Sequence, residues 1–155
     1  MNNTILNKEV AQIIYEQIDP WIFQAPEKTK DDIFVDIEQD IKSGKSLPLE
    51  KDGFILYIVP ETKWLARVHM FAKNNSPIKS LKAGIFLTDL IFNNSKVMKL
   101  YGITPLKSMV KVSERIGWKH EGTITKSFMT KEGDLKDQYV FGITREENKQ
   151  WREIK

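Results

Sequence analysis

Three side chains of this sequence, Glu61, His69 and Glu121, are candidates for accepting a proton near neutral pH. Glu61 lies in a predicted turn, and His69 lies in the strand that is predicted to follow it. An unperturbed histidine titrates near neutrality, so His69 has a suitable intrinsic pKa for a general base. Each also has a purely structural interpretation: Glu61 as a turn carboxylate, His69 as a strand residue that faces a helix, and Glu121 as a hydrogen-bonding residue of the fold.

The composition excludes several other kinds of chemistry. The 155-residue chain has no cysteine, which rules out a thiol nucleophile, a disulfide framework and a thiolate metal site. Two histidines, His69 and His120, argue against a metal cluster. The N-terminus lacks a signal-peptide pattern, and no apolar stretch approaches the ~20 residues that span a bilayer. We therefore expect one cytoplasmic domain, residues 1–155, that binds neither nucleic acid nor membrane.

The N-terminal part is predicted to form two amphipathic helices. Asn7 can cap the first, and Asp19-Pro20 is expected to end it, because the residue before a proline avoids helical geometry. Thr29 and Asp32 have the spacing of a capping box at the start of the second helix, which Gly44 ends. Between the helices, Trp21-Ile22-Phe23 is an apolar cluster that can seal the edge of the core.

Two strands are predicted next. Residues 54–59 form a continuous apolar run, which is typical of a strand buried on both faces. Residues 60–63 form the turn, and residues 64–71 form a second strand. In that strand the side chains on one of the two sides are partly polar. Arg67 and His69 share one side of it, with small and apolar residues on the other.

Residues 104–151 have the clearest local pattern. Thr104 can cap a helix, Pro105 suits its first turn, and Gly117 is placed to end it. Two strand-like runs follow, at residues 122–129 and 135–143, and residues 131–134 form the turn between them. With the strand that is predicted just before it at residues 97–103, the unit therefore consists of a strand, a helix and an antiparallel hairpin.

Short motifs in this unit resemble GNAT acetyltransferases. Ser113-Glu114-Arg115-Ile116-Gly117-Trp118 is similar to the E-K-L-G-F end of their last helix. His120-Glu121-Gly122-Thr123-Ile124-Thr125-Lys126 is similar to the x-E-G-x-L-R strand of the branch that acetylates ribosomal-protein N-termini and small amines. The resemblance implies an α/β (α+β) fold: a mixed, mostly antiparallel twisted sheet of six to seven strands, flanked by about four helices.

The resemblance also implies two parts of an acetyl-CoA site. Met70, Phe71 and Ala72 would supply strand backbone for the pantetheine arm. The pyrophosphate would lie on a Q/R-x-x-G-x-G/A loop that opens a helix, where glycines allow close backbone approach. The corresponding stretch is Lys79-Ser80-Leu81-Lys82-Ala83-Gly84, followed by a predicted helix at residues 85–92. Only Gly84 fits the pattern. Two alternatives remain. Either the charges of Lys79 and Lys82 bind the phosphates directly, or the loop binds the cofactor weakly or not at all.

The implied chemistry is direct attack of an amine on acetyl-CoA. Ser113 stands where many GNATs carry a tyrosine that protonates the leaving thiolate, and its shorter hydroxyl could act through a water. Glu61 or His69 would deprotonate the acceptor ammonium. Since GNAT acceptors commonly bind near the first two helices, the cluster at residues 21–23 is either a core seal or an aromatic wall for the acceptor.

We therefore expect an N-acetyltransferase, monomeric or homodimeric, that uses acetyl-CoA as cosubstrate. Its acceptor would be a primary amine of a small molecule or protein. The alternative is a catalytically silent GNAT-fold protein that acts as a binding or assembly factor, as small phage-encoded proteins of this appearance suggest. A fold does not by itself fix a function.

Overall fold

The computed structural model describes residues 6–73 and 77–154. Within them the chain forms five helices and six strands. In chain order these are α1 (Lys8–Glu16), α2 (Lys30–Lys42), β1 (Leu47–Lys51), β2 (Phe54–Pro60), β3 (Leu65–Ala72), α3 (Pro77–Asn94), β4 (Lys99–Thr104), α4 (Lys107–Arg115), β5 (Lys119–Met129), β6 (Leu135–Thr144) and α5 (Arg145–Ile154).

The strands form one mixed sheet in the order β1-β2-β3-β4-β6-β5. Neighbouring strands are antiparallel except β3 and β4, which are parallel. This confirms the expected mixed, mostly antiparallel sheet with flanking helices. The first strand, β1, was not predicted.

Two apolar clusters cover the two faces of the sheet. On one face, α3 packs against Ala66 and Val68 of β3, together with residues of β2, β4 and β6. On the other face, α1 and α2 pack against β2 and the end of β3, including Tyr57 and Phe71. The alternation of β3 therefore places Arg67 and His69 on the face opposite α3.

The predicted helix starts in the N-terminal part are confirmed. The Asn7 side chain accepts a hydrogen bond from the Val10 amide at 2.9 Å, and Thr29 and Asp32 form a reciprocal capping box. The prediction for the end of α1 is wrong: the helix ends at Glu16, three residues before Asp19. Residues 19–25 instead form hydrogen-bonded turns.

Gln24, in these turns, attaches the N-terminal segment to the far edge of the sheet. Its backbone has a φ of 53°, in the left-handed region. Its side-chain amide donates to the Met129 carbonyl at 3.1 Å and accepts from the Met129 amide at 3.0 Å. Residues 19–25 are therefore held against the end of β5.

The helix before the hairpin begins later than predicted and ends as predicted. Thr104 does not cap it: its hydroxyl accepts the Leu106 amide at 3.1 Å, and α4 begins at Lys107 without a side-chain cap. At the other end Gly117 has a φ of 93°, and the Trp118 amide donates to the Ser113 carbonyl at 3.0 Å. This is the Schellman arrangement that a glycine after the C-cap allows.

None of the helices in the described ranges is both long and apolar enough to cross a membrane. Across the same residues, no three histidine, aspartate or glutamate side chains are grouped so that they could hold a metal ion.

Candidate functional site

The parallel pair at the centre of the sheet separates after a short contact. β3 and β4 pair at three positions only, from Leu65 with Lys99 to Arg67 with Tyr101. β3 then continues to Ala72 and β4 to Thr104, without further pairing between them in the described residues. Strand edges that lose their partner present free N–H and C=O groups. The sheet therefore contains a wedge whose apex lies at Arg67 and Tyr101.

A groove of about 620 Å³ lies along the open edge of β3. Its walls come from the end of α1, residues 70–73, the start of α3 and one side of α4. Met70, Phe71 and Ala72 all line it, so the strand segment that was expected to hold pantetheine is accessible there. From α4 the lining residues are Met109, Val112 and Arg115.

The outer end of this β3 edge is occupied by the side chain of Gln17. Its amide nitrogen donates to the Ala72 carbonyl at 2.8 Å, and its oxygen accepts from the Ala72 amide at 3.2 Å. The Lys73 amide donates in the opposite direction, to Gly53. Successive residues of a strand direct their backbone N–H and C=O groups to opposite edges. The backbone N–H and C=O of Met70 therefore point toward the groove, like those of Ala72.

The prediction of a phosphate loop at residues 79–84 is wrong in its secondary structure. α3 begins at Pro77, so this stretch is helical, and the helix does not begin at Ile85. A helix leaves free amide groups only in its first turn, so those of Lys82, Ala83 and Gly84 lie beyond that region. Ala83 is buried, and a Cβ on Gly84 would lie 3.1 Å from Ile116 Cδ1. The glycine therefore serves helix packing.

Lys79 and Ser80 lie in the first turn of α3. Lys79 is exposed, as is Lys82 one turn later, and Ser80 lines the groove. Lys73 and Arg115 also line it. Positive side chains and a helix N-terminus favour an anion at this end of the groove.

Ser113 lies in the interior of the protein. It is fully buried, and its hydroxyl donates to the Val110 carbonyl at 2.7 Å. The side of α4 that faces the groove is instead formed by Met109, Val112 and Arg115. The hydroxyl is therefore engaged with the backbone of its own helix.

Glu61 lies on the opposite face of the sheet, beside the apex of the wedge. The Tyr101 hydroxyl donates to its Oε1 at 2.5 Å, and Arg67 Nε lies 3.9 Å from the same oxygen. Burial, followed by the contact with Glu61, raises the pKa of Tyr101. The tyrosine therefore remains protonated near neutral pH, with its proton directed at the carboxylate.

His69 is two residues farther along β3 on the same face. Its ring stacks on Phe23 with centroids 6.0 Å apart and also contacts Tyr57. Burial lowers the pKa of His69 to about 4, and the charge of Arg67 contributes in the same direction. The imidazole is therefore neutral at pH 7 but a weaker base than an exposed histidine. Phe23 also joins the core cluster beneath α1 and α2.

The structure brings Glu61, His69, Arg67 and Tyr101 together on one face, and Met70 to Ala72 on the groove. Tyr101 and Gln17 were not singled out from the sequence. Both make contacts between residues far apart in the chain, Tyr101 with Glu61 and Gln17 with Ala72, which no local pattern reveals. The alternation of β4 around Leu100, which is buried, was the available signal that Tyr101 faces away from α3.

No protein-family model and no curated protein matches the sequence. Solved structures do match. A spermidine N-acetyltransferase SpeG chimera from Vibrio cholerae and hSSAT has a TM-score of 0.72 and 13% identity, over 92% of this chain and 94% of that one. The Vibrio cholerae spermidine N-acetyltransferase in complex with CoA and spermine has a TM-score of 0.65 and 14% identity, over 92% and 94%.

The microcin C7 self-immunity acetyltransferase MccE, in complex with acetyl-CoA and AMP, matches with a TM-score of 0.62 and 14% identity, over 88% and 87% of the two chains. These matches lend no support to the ribosomal-protein branch or to a phage origin. At such identities the likeness concerns the fold. Together with the wedge between β3 and β4, it shows that this chain has the fold of the GNAT acetyltransferases.

Proposed function

We propose that this protein transfers an acetyl group from acetyl-CoA to a primary amine of a small molecule. The observation that carries the proposal is the wedge itself: a groove lies along the free β3 edge from Met70 outward, and β3 and β4 converge at an apex where Glu61 and Tyr101 lie on the other face. Two matched acetyltransferase structures contain CoA or acetyl-CoA, which supports this choice of cosubstrate. The complex with spermine supports a small amine as the acceptor.

The residues that line the groove fit an extended amide chain that ends in phosphates. Met70 offers a backbone N–H and C=O to an amide, as one strand offers them to another. Lys73, Lys79 and Arg115 supply positive charge at the outer end. Acetyl-CoA, when bound, supplies a thioester carbonyl that an amine can attack. In this arrangement Lys82 acts only at longer range, and Ala83 and Gly84 act through packing.

The opposite face provides for proton transfer. We assign Glu61 as the acceptor of the ammonium proton, directly or through one water, which leaves a neutral amine to form the new C–N bond. Once Glu61 is protonated, Tyr101 could donate its own proton to the sulfur as the C–S bond breaks and recover one from the Glu61 carboxylic acid. His69 borders the acceptor space and is neutral at pH 7, so it can orient the amine by a hydrogen bond.

Ser113 remains a predicted proton donor, but its geometry gives that role little support. Its hydroxyl would first have to leave the Val110 carbonyl and reach the groove through neighbouring side chains. We further propose that residues 1–155 act as one domain, since β1 to β6 all belong to one sheet. The proposal includes a cytoplasmic location and a monomer or homodimer.

Calorimetry with acetyl-CoA tests the proposal. Val112 is a half-buried residue of the groove wall, so Val112→Trp should fill the groove and weaken binding at least tenfold. Val35→Trp is the matched control, since Val35 is exposed on α2, away from the groove, and should leave affinity unchanged. A broad panel of amines, assayed for release of CoA, tests turnover.

The outcomes separate the two functions. The acetyltransferase is supported if the wild type and Val35→Trp bind acetyl-CoA, Val112→Trp does not, and the wild type acetylates an amine. Equal binding by all three proteins places the ligand elsewhere and refutes the groove assignment. A wild type that binds no acetyl-CoA, although folded, favours the alternative of a catalytically silent binding or assembly factor.

A further inference from the structure

One cation lies at the place where an amine would approach the wedge. Arg67 and Tyr101 are the last paired residues of β3 and β4, and both point to the face opposite α3. An acceptor that reaches the apex from this face must therefore pass beside the Arg67 guanidinium. A purely cationic acceptor gains nothing from a positive charge there.

The guanidinium is incompletely satisfied within the described residues. Arg67 Nε is buried and has no hydrogen-bond partner there. The nearest carboxylate oxygen, Glu61 Oε1, lies 3.9 Å away, beyond hydrogen-bond distance, and instead accepts the Tyr101 hydroxyl at 2.5 Å. A buried donor without a partner is costly, so natural proteins usually pair such groups. Arg67 thus has free capacity for an anion.

His69, which neighbours Arg67 among the residues that the structure describes, does not provide that anion. His69, the next residue on the same face of β3, is a neutral ring that stacks on Phe23, and the charge of Arg67 itself helps to lower the pKa of that ring. Although Nε itself is shielded, the Arg67 side chain as a whole is 43% exposed, so a solute can reach the guanidinium from this face.

We propose that the acceptor is an amine that also carries an anionic group, a carboxylate or a phosphate, which Arg67 binds while Glu61 receives the ammonium proton. This inference rests on the proposed acetyl transfer and specifies its acceptor. Glu61 Oε1 and Arg67 Nε lie 3.9 Å apart, so the amine and the anionic group are close neighbours in the acceptor, as in an amino acid. Arginine suits this task because its planar fork matches both anions.

Pairs of amines that differ only in the anionic group provide the test. Phenylalanine is compared with phenethylamine, tyrosine with tyramine, and phosphoethanolamine with ethanolamine; spermine serves as the purely cationic acceptor. We expect the wild type to prefer the anionic member of at least one pair by roughly 10- to 100-fold in kcat/KM, the range for a charged hydrogen bond. The amino acid pairs and the phosphate pair distinguish the two kinds of anion.

Arg67→Gln should abolish this preference by raising KM for the anionic member alone. Arg67→Lys, which keeps the charge but loses the fork, should retain part of it. Arg152→Gln is the matched control, because Arg152 lies on α5 and pairs with Asp89, so it should keep the wild-type ratio. Circular dichroism melts show whether each variant is folded.

The outcomes distinguish this inference from the proposed function. The inference is refuted, and acetyl transfer is left intact, if spermine or the amines without the anionic group are acetylated as efficiently as the anionic amines. An unchanged ratio in folded Arg67→Gln refutes it as well. A folded wild type that binds acetyl-CoA but acetylates none of the amines overturns the proposed function, and the inference with it.

Discussion

Replacing Gly117 by valine should destabilise the protein through two separate effects. Gly117 has a φ of 93°, and a Cβ built there would lie 2.7 Å from Trp151 Cδ2 and 3.0 Å from Cε2 and Cγ. The left-handed conformation costs an L-residue roughly 1–2 kcal/mol. Forcing a side chain against a packed aromatic ring adds about 1–3 kcal/mol. The sum, roughly 2–5 kcal/mol, is a large part of the 5–15 kcal/mol that typically stabilises a domain.

Thermal unfolding measures this loss. For a chain of this size, 1 kcal/mol lowers Tm by about 2–4 °C, so Gly117→Val should lower it by roughly 4–20 °C. Gly133→Val is the matched control, because Gly133 has a φ of 91° but a Cβ added to it would meet no atom within 4 Å. It should show only the conformational cost, roughly 2–8 °C. Equal losses in the two variants would refute the clash with Trp151, and an unchanged Tm for Gly117→Val would refute the helix end itself.

Three further predictions concern the site. Lys79→Ala should weaken CoA binding by about tenfold, since one charged contact to phosphate is lost; unchanged calorimetric affinity would place the phosphates elsewhere. Tyr101→Phe should lower kcat by roughly 100-fold, the lower end of the range for a positioned general acid, and Ser113→Ala by less, because the Ser113 hydroxyl is buried and bonded to its own helix. A larger loss for Ser113→Ala would restore serine as the donor. The pKa of His69 is depressed in the folded state to about 4, so the free energy of unfolding should fall as pH decreases from about 6.5 to 4. His69→Phe should flatten this dependence and the exposed control His120→Phe should not; equal pH profiles would contradict the burial of His69.

The sequence predicts elements well where a local signal coincides with the tertiary environment. The capping box of Thr29 and Asp32 and the left-handed Gly117 depend on contacts a few residues apart, and both are found. The apolar run of β2 is buried from Phe54 to Ile58. By contrast, β1 reads Leu-Pro-Leu-Glu-Lys, which is too short and too polar at its end to stand out, and it is an edge strand that pairs with β2.

The predicted start of α3 at residue 85 is wrong because it follows the glycine pattern of the GNAT phosphate loop and not the local helix propensity. Lysine, leucine and alanine in Lys79-Ser80-Leu81-Lys82-Ala83 all favour helix, and Pro77 suits a first turn. For the site, strand alternation was sufficient to place Arg67 and His69 on one face. The hydrogen bond between Glu61 and Tyr101 joins residues 40 apart in sequence, so only the pairing of β3 with β4 brings it about.

Two glutamines, Gln17 just before the turns of residues 19–25 and Gln24 within them, connect the groove to the face of the sheet that carries Glu61 and His69. Gln17 holds Ala72 at the groove, Gln24 holds Met129 at the far edge of the sheet, and Phe23 between them stacks on His69. If the proposed cosubstrate takes the place of Gln17 on Ala72, it would remove one of the contacts that hold this segment, and Phe23 would then border the proposed acceptor space less firmly. Binding of cosubstrate and acceptor would in that case be linked, and linkage is reciprocal: whatever factor the first ligand imposes on the affinity of the second, the second imposes on the first.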